Sequence, residues 1–109
     1  MQKLHGTTPQ ELKQTIDDGE QVTVIDVRQP YEFDRGHIRA PNVETVNVPL
    51  NQLQTLDPTE LLEDVPTENV VAVCASGNRS SVATQLLTRA GIDTKNLQYG
   101  MQGWQRVAW

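Results

Sequence analysis

The chain has one cysteine, Cys74, and the residues that follow it could hold its sulfur as a thiolate. Cys74 comes directly after the apolar run 70–73 and before the small residues Ala75, Ser76 and Gly77. Small residues let the backbone curl so that successive N–H groups point inward, an arrangement that binds anions. The segment therefore predicts a sulfur nucleophile at the end of a buried strand, inside a cradle for a small anion.

Positive charge follows this cradle. Arg79 supplies a permanent cation with a planar fork that suits oxyanions, and a helix predicted to begin there adds the positive end of its dipole. Both favour the thiolate, which is the nucleophilic form of the side chain. A lone cysteine after a strand is often only a small core residue, but this combination favours a catalytic Cys74. The expected substrate-binding residues are Ala75, Ser76, Gly77, Asn78, Arg79 and Ser80.

The strands that must position the loop are visible as apolar runs. Residues 22–27 and 70–73 are rich in β-branched side chains with little alternation, which is typical of strands buried on both faces. Shorter extended segments are expected at 45–48 and 95–97. In an open sheet of this kind, ligands bind beyond the carboxyl ends of the strands, which is where Cys74 is expected.

Helices are predicted between these strands. Apolar residues recur at helical spacing over 79–90, and cap sequences at Thr8 and Asp57 begin two shorter helices. The tail 103–109 could add a final helical turn or two. Strands that alternate with helices predict an α/β protein with a mainly parallel sheet covered on both faces.

Composition narrows the class of protein. The 109 residues correspond to one domain over 1–109, and 14 acidic against 9 basic residues give a net charge of −5. This charge argues against nucleic acid or an anionic membrane as a partner. One cysteine and two histidines are too few for a structural zinc site, so neither a metal nor a cofactor is expected. The polar N-terminus and the lack of a long apolar run predict a cytoplasmic protein, and the lack of a heptad pattern favours a monomer.

Five motifs, by their order and spacing together, resemble the single-domain rhodaneses, the rhodanese homology domain of the sulfurtransferase type. They are Asp26-Val27-Arg28 with Pro30, Glu32 and Phe33; Gly36-His37-Ile38; Asn47-Val48-Pro49-Leu50; the cysteine loop 74–79; and Gly100-Met101-Gln102-Gly103-Trp104. The resemblance extends from Val22 to Trp104. It implies a rhodanese-like three-layer domain with a central sheet flanked by helices.

The resemblance also implies a reaction. In this family the loop cysteine attacks the outer sulfur of a donor such as thiosulfate, sulfite leaves, and a thiophilic acceptor then removes the sulfur from the cysteine persulfide. Cys74 matches that nucleophile, the loop amides would stabilise the persulfide, and Arg79 would hold donor oxyanions. The expected partners are thiosulfate or a polysulfide or persulfide as donor, and a thiol, cyanide or a protein as acceptor. No general base is required for a preformed thiolate.

Two features bear on the donor. Four residues separate Cys74 from Arg79, one fewer than in the related dual-specificity and tyrosine phosphatases, which favours sulfur over a phosphoryl group. Many single-domain members have a basic residue directly after the cysteine, where this chain has Ala75, so a polysulfide or protein persulfide becomes a more plausible donor than thiosulfate. The segment 39–46 is a few residues longer than usual, which predicts a longer loop there.

Three other functions are weighed against a sulfurtransferase. The first is a catalytically weak rhodanese-like module that binds proteins or carries sulfur, for which Trp104 and Trp109 could form an aromatic patch, although one at least is expected to cover the sheet. The second is a phosphatase, which the loop length disfavours. The third is a redox-sensing thiol, but such sensors often carry a resolving cysteine, and this chain has none.

Four polar residues near the motifs are expected to be structural. Asp26 is predicted to accept hydrogen bonds from loop backbone, with a role in tuning Cys74 or Arg79 as the lesser possibility. Arg28 and Glu32 are predicted to form a local ion pair on a turn. His37 is expected to make a fixed loop hydrogen bond rather than to act as a base.

Overall fold

The computed structural model describes residues 6–108 and has a parallel sheet with helices on both faces. The strands are β1 (Gly6–Thr7), β2 (Val22–Asp26), β3 (Val43–Asn47), β4 (Val70–Val73) and β5 (Thr94–Leu97). The helices are α1 (Pro9–Asp17), α2 (Pro30–Asp34), α3 (Leu50–Thr55), α4 (Pro58–Leu61), α5 (Asn78–Arg89) and α6 (Gly100–Ala108). The sheet order is β1-β5-β4-β2-β3, and every described pairing is parallel.

The alternation of side chains along the strands builds two cores, one on each face of the sheet. Val22 and Val24 of β2 pack with Leu12 of α1 and Met101 of α6. On the other face, Ile25 packs in a second cluster, to which the helices α3 and α5 contribute. The clusters lie between three layers: helices, the sheet, and helices on its other face. The predicted α/β class with a mainly parallel sheet is confirmed.

The predicted strands and the longest predicted helix are confirmed to within a few residues. The helix expected over 79–90 begins at Asn78, and the tail helix begins at Gly100 rather than within 103–109. Trp104 packs against the cluster beneath α1 and α6, as expected for a residue that covers the sheet. Trp109 lies outside the described residues. Between residues 6 and 108, no helix has both the length and the apolar character that a membrane crossing requires.

Three short elements were not predicted: β1, α2 and α3. β1 has only two residues, and α2 has five residues and no buried side chain, so neither produces a hydrophobic period. α2 begins at Pro30, where Gln29 and Glu32 form a capping box. This helix matters for the site because it places Glu32 in front of the cysteine loop.

Candidate active site

Cys74 lies at the carboxyl end of β4, in the core between the sheet and α5. The residue is 1% exposed, and its neighbours in the cluster include Ala72 of β4 and Ala83 of α5. The carboxyl ends of β2 and β4 coincide, because Asp26 pairs in register with Val73. The polar residues that follow both strands therefore meet at the edge where Cys74 lies.

Backbone and hydroxyl donors surround the sulfur. The Gly77 N–H donates to Cys74 Sγ at 3.0 Å, and Ser80 Oγ lies 3.3 Å from the same sulfur. Burial raises the pKa of the Cys74 thiol, but the Ser80 hydroxyl and the amides of Ser80, Gly77 and Ser76 lower it, and the net pKa is below the usual value. These donors stabilise the thiolate because hydrogen bonds to the charged form favour it.

Two glycines make this backbone path possible. Gly77, just before α5, has φ +108°, a left-handed conformation that residues with a Cβ rarely adopt. In this conformation its N–H points toward the sulfur. Gly100 has φ +53°, and a Cβ there would overlap the carbonyl oxygen of Cys74. This close approach lets Met101 N–H donate to the Cys74 carbonyl at 2.8 Å and Gln102 N–H donate to the Ala75 carbonyl at 3.0 Å. The first amides of α6 therefore hold the loop from behind.

Arg79 is paired with a carboxylate that sequence reasoning did not connect to it. Its Nη1 and Nη2 donate to the two carboxylate oxygens of Glu32 at 2.8 and 3.0 Å. The side chains are 36% and 21% exposed, respectively. The Arg79 guanidinium is the main cause that holds the pKa of Glu32 at about 2, so Glu32 is ionised at neutral pH. The guanidinium thus meets the site with its charge already compensated.

The predicted ion pair between Arg28 and Glu32 is wrong. Arg28 instead forms a buried pair with Asp26, in which Nη2 donates to Oδ2 at 2.7 Å and Nε donates to Oδ1 at 2.9 Å. A four-residue spacing favours contact only when both residues lie on one helix, and α2 begins at Pro30, after Arg28.

Asp26 has the structural role that was expected of it. Its Oδ1 accepts from the Arg28 backbone N–H at 3.1 Å. Arg28 in turn donates to the Gly36 carbonyl at 2.7 Å, so the pair joins the end of β2 to the segment after α2. No hydrogen bond described for Asp26 reaches Cys74 or Arg79.

His37 makes the local hydrogen bond that was predicted. Its Nδ1 lies 3.0 Å from the Phe33 carbonyl oxygen, and its ring stacks on the Phe33 ring with centroids 3.8 Å apart. These contacts anchor the chain after α2 rather than place a base at the sulfur.

A second residue that the sequence did not reveal, Asn96 of β5, lies behind Ser80. Its Oδ1 accepts a hydrogen bond from the Ser80 hydroxyl, while its Nδ2 donates to the Gly77 carbonyl at 3.3 Å. Asn96 thereby connects both groups that contact the sulfur. Among the predicted loop residues, Ala75 is half-buried and Ser76 and Asn78 are exposed at the mouth of the loop.

Comparison with known proteins finds relatives over most of the chain. The model of the family "Rhodanese-like domain" matches residues 8–107. The chain is 30% identical over 95 residues to the putative sulfurtransferase YtwF of Bacillus subtilis, covering 86% of this chain and 84% of that protein. It is 32% identical over 101 residues to the probable adenylyltransferase/sulfurtransferase MoeZ of Mycobacterium tuberculosis, covering 91% of this chain but only 24% of that longer protein.

A solved structure shows the same fold over nearly the whole chain. The rhodanese-related protein of Thermoplasma volcanium is 28% identical to this chain, with a TM-score of 0.76. The match covers 96% of this chain and 94% of the other. The sequence match and the shared fold thus both extend over nearly the whole chain. The chain therefore belongs to the family of rhodanese-like domains, to which sulfurtransferases belong.

Proposed function

We propose that this protein is a sulfurtransferase that carries sulfane sulfur on Cys74, from thiosulfate, a polysulfide or a persulfide to a thiophilic acceptor. The observation that carries the proposal is the pair of donors on one sulfur, the Gly77 N–H at 3.0 Å and the Ser80 hydroxyl at 3.3 Å. Donors arranged in this way favour an anionic sulfur, whether thiolate or persulfide, without a neighbouring base.

Two displacements make up the proposed reaction. The Cys74 thiolate attacks the outer sulfur of the donor, and the S–S bond between that sulfur and the rest of the donor breaks. The leaving group departs with the electron pair, as sulfite from thiosulfate, as a thiolate from a persulfide, or as a shorter polysulfide from a polysulfide. Cys74 then carries a persulfide anion. An acceptor thiolate or cyanide attacks the terminal sulfur, which regenerates the Cys74 thiolate. No proton is transferred in either step when both partners enter as anions.

Arg79 would orient oxyanion donors in this scheme. The N–H groups that it does not direct at Glu32 remain available to a sulfonate or sulfite oxygen. Loss of Arg79 is expected to weaken reaction with thiosulfate while the fold is retained. Arg89→Ala is a matched control, since Arg89 is exposed in the last turn of the same helix, roughly 15 Å away along its axis. Equal kinetics for Arg79→Ala and Arg89→Ala would contradict the role of Arg79.

Intact-protein mass spectrometry tests the persulfide directly. Wild type and Cys74→Ser are incubated separately with thiosulfate and with polysulfide, and circular dichroism verifies that both are folded. The expected result is a gain of one sulfur atom in the wild type, absent in Cys74→Ser and removed by cyanide. A folded wild type that gains no sulfur from either donor would refute the proposal and favour a module that binds proteins or carries sulfur in another form.

A further inference from the structure

The charge at the mouth of the site is set by the pair between Arg79 and Glu32. Both carboxylate oxygens of Glu32 face the two terminal nitrogens of the guanidinium, at 2.8 and 3.0 Å. Arg79 is the only cationic residue in the loop 74–80, because Ala75 follows the cysteine. We propose that Glu32 is a specificity-determining residue that makes Cys74 prefer sulfur donors with a single negative charge, such as organic persulfides and thiosulfonates, over the dianion thiosulfate.

This inference rests on the proposed sulfur transfer and adds the class of donor to it. When Cys74 is a thiolate, the reacting sulfur and Glu32 each carry one negative charge and Arg79 carries one positive charge. The second nearby pair, Arg28 with Asp26, is buried, and its two charges also cancel. An incoming anion therefore meets a net negative charge, and a dianion is repelled about twice as strongly as a monoanion at the same distance.

Glu32 is held in this position by more than Arg79. Its Oε1 accepts from the Gln29 backbone N–H at 3.0 Å, which closes the capping box of α2. The carboxylate is thus fixed to the start of a helix, and a donor must bind beside it rather than displace it. A glutamine at position 32 would keep the cap, since the capping box accepts Glu or Gln at this place, and would remove only the charge.

A pair of donors that differ by one charge isolates this effect. Methanethiosulfonate is thiosulfate with a methyl group in place of one anionic oxygen, so both carry the transferable sulfur on a sulfonyl sulfur. Attack by the Cys74 thiolate breaks the same S–S bond in each and releases methanesulfinate from one and sulfite from the other. Cyanide then takes the sulfur from the persulfide as thiocyanate, which is measured for both donors.

The experiment compares the ratio of kcat/KM for thiosulfate to kcat/KM for methanethiosulfonate in three proteins. Glu32→Gln is expected to raise this ratio about three- to tenfold, as removal of one charge several ångströms from the donor predicts in a partly solvated site. Glu68→Gln removes the same charge from an exposed residue just before β4, roughly 20 Å from Cys74 along the strand. That control is expected to leave the ratio unchanged.

The outcomes separate this inference from the function it deepens. If the wild type forms thiocyanate from either donor but Glu32→Gln leaves the ratio at the wild-type value, the role of Glu32 is refuted and sulfur transfer stands. If neither of these donors nor a polysulfide gives a Cys74 persulfide, sulfur transfer itself fails. Should Glu32→Gln not fold, the salt dependence of the wild-type ratio decides, because salt screens the repulsion. The ratio of kcat/KM for thiosulfate to that for methanethiosulfonate is expected to rise between about 20 and about 300 mM KCl. A ratio that does not change with salt would overturn the inference.

Discussion

The Ser80 hydroxyl offers the sharpest test of how the fold activates Cys74. Ser80 is fully buried, and its oxygen is within reach of both Cys74 Sγ at 3.3 Å and the Asn96 amide oxygen. A hydroxyl has one proton to donate. When Cys74 is a thiolate, we expect that proton to face the sulfur, because a hydrogen bond to an anion is stronger than one to a neutral amide oxygen.

The magnitude follows from the strength of that bond. A hydrogen bond to a charged group contributes about 1.5 to 3 kcal/mol, and the long distance and the competing acceptor place this one at the lower end. Loss of about 1.4 kcal/mol corresponds to roughly tenfold less thiolate at a pH below the pKa. The pKa of Cys74 is therefore expected to rise in Ser80→Ala. The smaller thiolate fraction slows the reaction, but a thiolate of higher pKa is a better nucleophile. At a Brønsted coefficient near 0.5, each thiolate of Ser80→Ala should react about threefold faster than that of wild type.

These two effects predict a crossing of rate profiles. With an aromatic disulfide as reagent, Ser80→Ala should react about threefold more slowly than wild type at acidic pH and about threefold faster at alkaline pH, where both thiols are ionised. The matched control is Ser81→Ala, which removes a hydroxyl from the next residue of the same helix, one with no described contact to the sulfur. Profiles that coincide, or a Ser80→Ala thiol with a lower pKa than wild type, would show that the Ser80 hydroxyl donates to Asn96 Oδ1 rather than to the sulfur, and would refute the reasoning.

Three further predictions concern the frame around the sulfur. Gly100→Ala places a Cβ against the Cys74 carbonyl at φ +53°, so the free energy of unfolding, measured in urea, should fall by more than about 2 kcal/mol; an unchanged midpoint would show that the loop can shift away at little cost. Asp26→Asn leaves Arg28 buried without its counter-charge and should cost about 3 to 5 kcal/mol, whereas a loss below about 1 kcal/mol would contradict a buried pair. Glu32 has a pKa of about 2 in the folded protein against an ordinary 4.5, so its contribution is present above pH 4.5 and is lost as pH falls toward 2. The free energy of unfolding of wild type relative to Glu32→Gln should therefore fall by up to about 1 kcal/mol between about pH 4.5 and about pH 2. An equal difference between the two proteins at both pH values would contradict the pair.

The cysteine loop could be predicted from sequence because its determinants are local. A buried strand, small residues, an arginine and a helix start all lie between Val70 and Arg89, within one supersecondary unit. The helix start was placed within one residue of Asn78, because apolar residues recur at helical spacing directly after the loop. Local patterns of this kind are read directly from neighbouring residues.

The charge balance of the site could not be predicted in this way. Glu32 and Arg79 are 47 residues apart, and only the packing of α2 beside the loop brings them together. The proximity of Arg28 and Glu32 in sequence favoured a local pair on a turn instead, but Arg28 lies before α2 and pairs with Asp26. Asn96 was missed for a similar reason, since a single polar residue in a short strand does not show which neighbour it contacts.

The arrangement separates the activation of the sulfur from the recognition of its donor. In the proposed reaction, activation would come from groups fixed by the fold: the Gly77 amide, the Ser80 hydroxyl and the α6 amides that hold the carbonyls of Cys74 and Ala75. Among residues 6–108, the hydrogen bonds to Sγ come from a backbone amide and a hydroxyl and not from a histidine or a carboxylate. In the proposed sulfur transfer, recognition would depend instead on Arg79 and Glu32, which pair with each other at the mouth of the loop. Donor preference is therefore expected to change through this pair while the reactivity of the Cys74 thiolate stays nearly constant.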